Sequence, residues 1–378
     1  MCNPEGMDGT PLGVSCVQSW YTEETNKATN KLKRRFILVI EFLISVGDEV
    51  VFVAASDVYP EFHDPSRNIP IKDLKHRKLL PVAEDEVLLK RLQHRGEFCA
   101  SVATKRHYLE YRPDSFFPII SGGWSNNAVR PLSKGGRVMI DVKRGILEGH
   151  ILIRGKSDGM SDTVKEAIKL FEQSKRTGVA VPFRTAILPG VGAGDNEGDS
   201  DRHLLWQAWP MLTGFSFTAR VWGKLLLSLP KQTSLITSHP TTPSSKFDGV
   251  GKCGNCGYIS FQEHAFEQLV LAEDKKELIR AVARNAGGGT KFAEDDDDED
   301  DEDDYDYDQG LDVVANKGAA SIFLLHGPPG CGKTLTAEAI AELLKKPLYV
   351  VTAGDLGITA SEVEFLDALF LFVVEKSN

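Results

Sequence analysis

The sequence lacks the marks of several protein classes. It opens MCNPEGMDGTPLG, with no basic stretch ahead of an apolar core, so nothing reads as a secretory leader. Its longest apolar runs are 36–46, broken by Glu41, and 366–374, broken by Asp367; both are too short to cross a bilayer. Six cysteines in 378 residues make no disulfide framework. One of them, Cys331, sits in a glycine-rich stretch where a reduced thiol is the natural state, which points to a reducing compartment. These absences predict an intracellular protein without a membrane span, not secreted, and cytoplasmic in preference to nuclear. Bulk positive charge is missing as well. The formal net charge is −10, but thirteen acidic residues fall within 294–308; removing those thirteen charges from −10 leaves +3, a nearly balanced body. No nucleic-acid surface follows from charge. Residues 36–141 contain no nucleophile elbow, no dinucleotide fingerprint and no metal-ligand cluster.

What is present is a phosphate-binding loop. Residues 321–325 are mostly apolar and read as a buried strand; GPPGCGKT follows, and then LTAEAIAELLKK, which reads as a helix. Strand, glycine loop and helix in that order are the context a P-loop requires. Glycines let backbone N–H groups turn inward toward phosphate oxygens, and the following helix adds its N-terminal dipole. Gly327, Pro328, Pro329, Gly330, Cys331, Gly332, Lys333, Thr334 and Leu335 are the expected phosphate-binding residues. Lys333 reaches the β- and γ-phosphates of ATP, and the Thr334 hydroxyl is the expected Mg²⁺ ligand.

The rest of the chain divides by composition. Residues 1–35 are polar and rich in Gly, Pro, Thr and Asn, and read as disordered. Residues 36–228 read as an α+β domain, with strands at 49–54 and 137–141 and helical spacing from Val87 through Leu88 to Leu92. Thr163 and Glu166 have capping-box spacing, followed by Val164, Ile168 and Phe171 along one helix face to Gly178. The apolar stretch 204–228, with Trp206, Trp209 and Trp222, reads as core or interface packing.

Residues 229–257 read as a linker running into Cys253 and Cys256, half of a zinc site that His264 alone does not complete. Residues 261–285 read as helical, with Leu278, Ile279 and Val282 on one side. The acidic run 294–308 reads as a solvated, disordered insertion. After the P-loop, Ala337, Ile340, Ala341 and Leu344 have core spacing on a helix, and 347–351 reads as the next strand. Strand, helix, strand is a βαβ unit of a parallel sheet.

FLLHGPPGCGKTLTAEAIAELLKKPLYVV resembles the AAA family ATPases, and YISFQEHAFEQLVLAEDKKELIRAVARN is similar to the linker helix that precedes their nucleotide domain. The pairing resembles a fungal type of AAA ATPase that carries an uncharacterised N-terminal domain; SKGGRVMIDVKRG and GFSFTARVWGKLLLS look like pieces of that domain. The resemblance implies an α/β fold: an AAA parallel-sheet nucleotide domain over 258–378, preceded by the α+β domain. It implies ATP and Mg²⁺ as cofactors, an unknown protein partner remodelled at the expense of ATP, and a homo-oligomer if the domain is complete. The chain ends 45 residues after Lys333, and no Walker B acid pair or arginine finger is found, so the nucleotide domain reads as incomplete and no catalytic residue is identified. The alternative is a non-catalytic nucleotide-binding interaction protein acting through 36–228.

Overall fold

The computed structural model describes residues 10–25, 32–59, 85–119, 130–147, 159–180, 183–188, 201–229, 252–285 and 324–351. The acidic run 294–308 lies outside them. The chain forms two compact units, 1–259 and 260–378.

The first unit holds two antiparallel sheets. β1 (Ser15–Thr25), β2 (Leu32–Ser45) and β3 (Val50–Tyr59) pair in that order. Period-2 alternation sorts the side chains of β2 and β3 to two faces. Leu38, Ile40, Phe42 and Ile44 join Val51 and Val53 in the main core. Leu43, Val50 and Phe52 face the other way, against Leu188 and Leu205. A strand with both faces covered reads as an unbroken apolar run, which is why 36–46 shows no simple period.

The second sheet is assembled from distant parts of the chain. α1 (Glu86–Ala103) begins at Asp85, whose carboxylate accepts from Leu88 N–H at 2.9 Å. Then come β4 (His107–Tyr111), β5 (Phe116–Pro118), β6 (Gly136–Ile140), α2 (Val142–Leu147) and α3 (Gly159–Thr177). A 3₁₀ turn at Asp201–Gln207 leads to β7 (Met211–Ser216) and β8 (Val221–Leu226), and the hairpin β9 (Lys252–Cys253) and β10 (Cys256–Tyr258) closes the unit. The strand order is β5-β8-β7-β6-β4-β10-β9, every pair antiparallel.

Three expectations differ from this fold. Ser15–Thr25 lies within the segment read as disordered, yet pairs with β2 from Ser15↔Glu41 to Thr25↔Leu32. Most of its side chains are exposed, so its polar composition is that of an edge strand held through its backbone. Residues 32–35, the end of the same segment read as disordered, open β2, where Arg34 meets Glu23 at 3.5 Å and covers the Tyr21 ring at 4.3 Å. Residues 252–258, read as the end of a linker, add two strands to the edge of β4. Asn255 clamps that hairpin: its amide donates to Leu226 O at 2.5 Å and its side-chain oxygen accepts from Ser228 N at 2.8 Å.

The α3 helix follows the sequence reading at its core, with Ile168 and Phe171 buried and Gly178 ending it at φ +70°. It starts at Gly159, four residues before Thr163, so Thr163 is not its cap.

The second unit contains a 3₁₀ turn at Glu263–Ala265, α4 (Glu273–Asn285) and α5 (Lys333–Leu343). Phe266, Leu269 and Ala339 form its core, packed by Ile279, Ile340 and Leu343. The segment read as one helix over 261–285 is therefore a turn and a shorter helix, with Leu278 exposed rather than packed. No strand occurs in this unit among the described residues, including 324–326 and 347–351. A strand exists by virtue of a hydrogen-bonded neighbour, and neither segment has one among the described residues.

Asp141 organises the junction of β6 and α2. Its carboxylate pairs with Arg106 Nε at 2.7 Å and accepts from Arg144 N–H at 2.9 Å, capping α2 while itself 4% exposed. Asp141→Ala removes a helix cap and strands a partly covered arginine, with an expected loss of about 3 kcal/mol. Denaturant unfolding followed by fluorescence of the buried Trp209 and Trp222 measures it.

Lys224 on β8 is buried without an acidic partner among the described residues, and burial lowers its pKa from 10.5 to about 7. Between those values the unfolded chain holds a proton that the folded chain has released, so this group makes stability rise with pH from about 7 to 10.5. Lys224→Met is expected to flatten that rise and to gain on the order of a few kcal/mol at pH 7, measured as unfolding free energy against pH.

Candidate nucleotide site

The loop before α5 takes its shape from three glycines. Gly327, Gly330 and Gly332 have φ of 152°, 84° and 86°, a region that costs a residue with Cβ of order 1 kcal/mol or more. At Gly327 a Cβ would also come within 2.7 Å of Cys331 Sγ. The turn is closed by Cys331 N–H donating to Pro328 O at 3.4 Å.

Gly332 stands at the N-cap of α5 in the left-handed region and has no side chain to cap it. The first helical bond runs from Thr336 N–H to Gly332 O at 2.9 Å. The N–H groups of Lys333, Thr334 and Leu335 precede it, and in a helix these have no internal acceptor. They form an anion-binding end with the helix dipole behind it.

Lys333 folds back onto the loop. Its ammonium donates to Gly327 O at 2.9 Å and Pro328 O at 2.8 Å and lies 3.6 Å from Cys331 Sγ. Thr334 and Leu335 are exposed at the mouth of the loop. The structure therefore gathers Gly327 through Leu335 into one turn: three uncapped N–H groups, one ammonium and one accessible hydroxyl. That donor set fits a polyphosphate carrying a divalent cation. Lys333 and the helix end would hold the phosphates, and the Thr334 hydroxyl would ligand Mg²⁺.

Two supporting residues escaped sequence reasoning. Thr336 is buried and its hydroxyl donates back to Gly332 O at 3.0 Å, holding the carbonyl that starts α5. The GK[ST] pattern draws attention to Thr334 and gives no signal for Thr336. Glu342 accepts from Gln262 N–H at 2.9 Å, tying the far end of α5 to the 3₁₀ turn. The helix ends with Lys345 at φ +52°, Lys345 N–H bonded to Glu342 O and Lys346 N–H to Ala341 O. This is a Schellman closure with lysine where glycine is usual.

The cysteine pair is a different kind of feature. Cys253 and Cys256 face each other across the β9–β10 hairpin and are both buried. Burial raises Cys253 to about 11, against a smaller opposing pull from Arg95, and it raises Cys256 as well. Metal ligation needs thiolate, and among the described residues no group of three or more His, Cys, Asp or Glu side chains is placed to hold a metal. Cys253 Sγ instead donates to Ser228 O at 2.8 Å. No helix among the described residues is long and apolar enough to cross a membrane.

Comparison with known proteins bears on the P-loop segment. The mouse protein "Nuclear valosin-containing protein-like" is 45% identical over 64 residues, 16% of this chain and 7% of the relative. The Dictyostelium discoideum protein "Putative ribosome biogenesis ATPase nvl" is 61% identical over 33 residues, 9% of this chain and 4% of the relative. The matched stretches thus span less than a tenth of either relative's length. No solved structure matches the chain. The expectation of a cytoplasmic rather than nuclear location draws no support here, since one relative is nuclear by name. Residues 323–375 match the family described as "ATPase family associated with various cellular activities (AAA)", and the P-loop lies at the start of the matched stretch.

Proposed function

We propose that the unit 260–378 binds ATP with Mg²⁺ at Gly327–Leu335, and that the protein acts as an AAA-type ATPase coupling nucleotide to the remodelling of a protein partner within a homo-oligomer. The observation that carries the reading is a loop with left-handed glycines that leads into the uncapped N-terminus of α5, with the Lys333 ammonium held by the Gly327 and Pro328 carbonyls of the same loop. A cation and an uncapped helix end on one short loop suit a polyanion. The proposal of ATP over other phosphates, and of remodelling as the output, rests on the AAA match at 323–375.

Binding and turnover are separate claims. Phosphoryl transfer to water requires positioning, charge stabilisation and a group that orients the attacking water. The loop supplies the first two. Among the described residues no acidic side chain contacts Lys333 or Thr334, and the catalytic acid is not assigned here. A second reading is favoured by this fact: a nucleotide-binding interaction protein in which the first unit captures the partner.

Calorimetry with Mg·ATP tests the site. Lys333→Ala is expected to weaken binding about 10- to 100-fold, the worth of a hydrogen bond to a charged group. Thr334→Ala is expected to remove the part of the affinity that depends on Mg²⁺ and to leave binding in EDTA unchanged. Equal affinity in the wild-type chain and Lys333→Ala would refute the site. Phosphate release that disappears in Lys333→Ala supports the ATPase reading. Tight binding with no release at any protein concentration supports the interaction reading.

A further inference from the structure

Beneath α2 and α3 the first unit contains a pocket unconnected with the P-loop. It is walled by Ile44, Val142, Ile146, Ile168, Trp209 and Met211, holds a cavity of about 40 Å³ and opens to solvent. Apolar walls converging on a few polar groups are what small-molecule sites have in common. Here the polar groups are Lys224 and Thr213, directly opposite each other on β8 and β7, with the Lys224 ammonium donating to the Thr213 hydroxyl.

The placement is built in. Gly145 on α2 abuts Thr213, and a Cβ there would collide with the Thr213 methyl group. Lys224 is 8% exposed and Thr213 is 3% exposed. An ammonium has three protons to donate. Thr213 takes one, and Lys224 makes no ion pair among the described residues. Burying such a group is costly unless a counter-charge arrives.

We propose that this pocket binds a small monocarboxylic acid, its carboxylate paired with Lys224 and Thr213 and its tail along the apolar walls toward the opening. A single negative charge matches the buried Lys224 ammonium, Lys165 being only partly buried, so the pair enters the interior neutral. A phosphate dianion would carry an unmatched charge, at high desolvation cost. The other charged group of the lining is Lys165 on α3; the remaining polar one is Ser45 on β2, whose hydroxyl already donates to Ala103 O at 3.3 Å. Among the described residues no acidic side chain lines the pocket. With a free Lys224 titrating near 7, the acid should bind below that pH and weaken above it as the ammonium loses its proton.

Calorimetry on the full chain with hexanoate, and with hexanol as the uncharged control, tests this. At pH 6 hexanoate is expected to saturate one site and to bind at least about tenfold tighter than hexanol. The preference should shrink about tenfold or more at pH 9. Lys224→Met, which removes a buried charge and so should fold at least as well as the wild type, is expected to bind hexanoate about 10- to 100-fold more weakly while taking hexanol as before. The proposal is overturned if hexanoate does not saturate, if it binds no better than hexanol, or if Lys224→Met retains it. It is equally overturned if Lys165→Met, and not Lys224→Met, abolishes binding.

Discussion

Burial of β7 on both faces is the constraint that shapes the first unit. All six residues of Met211–Ser216 are buried, so each polar atom on the strand must find a partner inside the protein. Ser216 meets Tyr111 Oη at 2.8 Å and accepts from Ala219 N–H at 3.2 Å. Thr213 meets Lys224 on the neighbouring strand. Glycine stands where neighbours press closest: a Cβ at Gly214 would lie 2.7 Å from Met139 O, and Gly145 lets α2 settle on Thr213. The same close approach that seals the strand leaves a small apolar space against α3.

Two buried cations show what this closeness costs. Arg95 on α1 is 1% exposed and donates through Nη1 to Pro11 O at 2.8 Å, while its Nε and Nη2 have no partner among the described residues. Burial lowers its pKa to about 10, the nearby thiols of Cys253 and Cys99 pulling weakly the other way. Lys224 is the second. The Cys253–Cys256 hairpin closes over the same core, so the cysteine pair belongs to packing and strand pairing. In the P-loop the logic is reversed. Gly332 leaves α5 without a side-chain cap, and the uncapped end is open to an anion.

The parts of the sequence that could be read correctly were those where chemistry is local. The P-loop is nine consecutive residues whose backbone angles depend on their own glycines, and Ile168 and Phe171 mark the α3 face by spacing alone. The misread parts depended on remote partners. β1 looks disordered because its polar side chains say nothing of the backbone bonds it makes to β2. Residues 252–258 look like a linker because their sheet partner, β4, lies about 140 residues earlier. The stretch 347–351 has a strand-like composition and no strand neighbour among the described residues.

By itself the sequence located the glycine loop: glycines at the turns, Lys333 and Thr334 directly after them, and a helix behind. These follow from residue type and spacing within one turn of chain. Only the tertiary structure decided that Lys224 faces Thr213 across two strands under α2 and α3, that Asp141 joins Arg106 to the start of α2, and that Asn255 locks a hairpin onto a distant strand. Burial, cross-strand register and the loss of solvent around a charge arise when segments far apart in the chain are brought together, and spacing along the chain cannot express them.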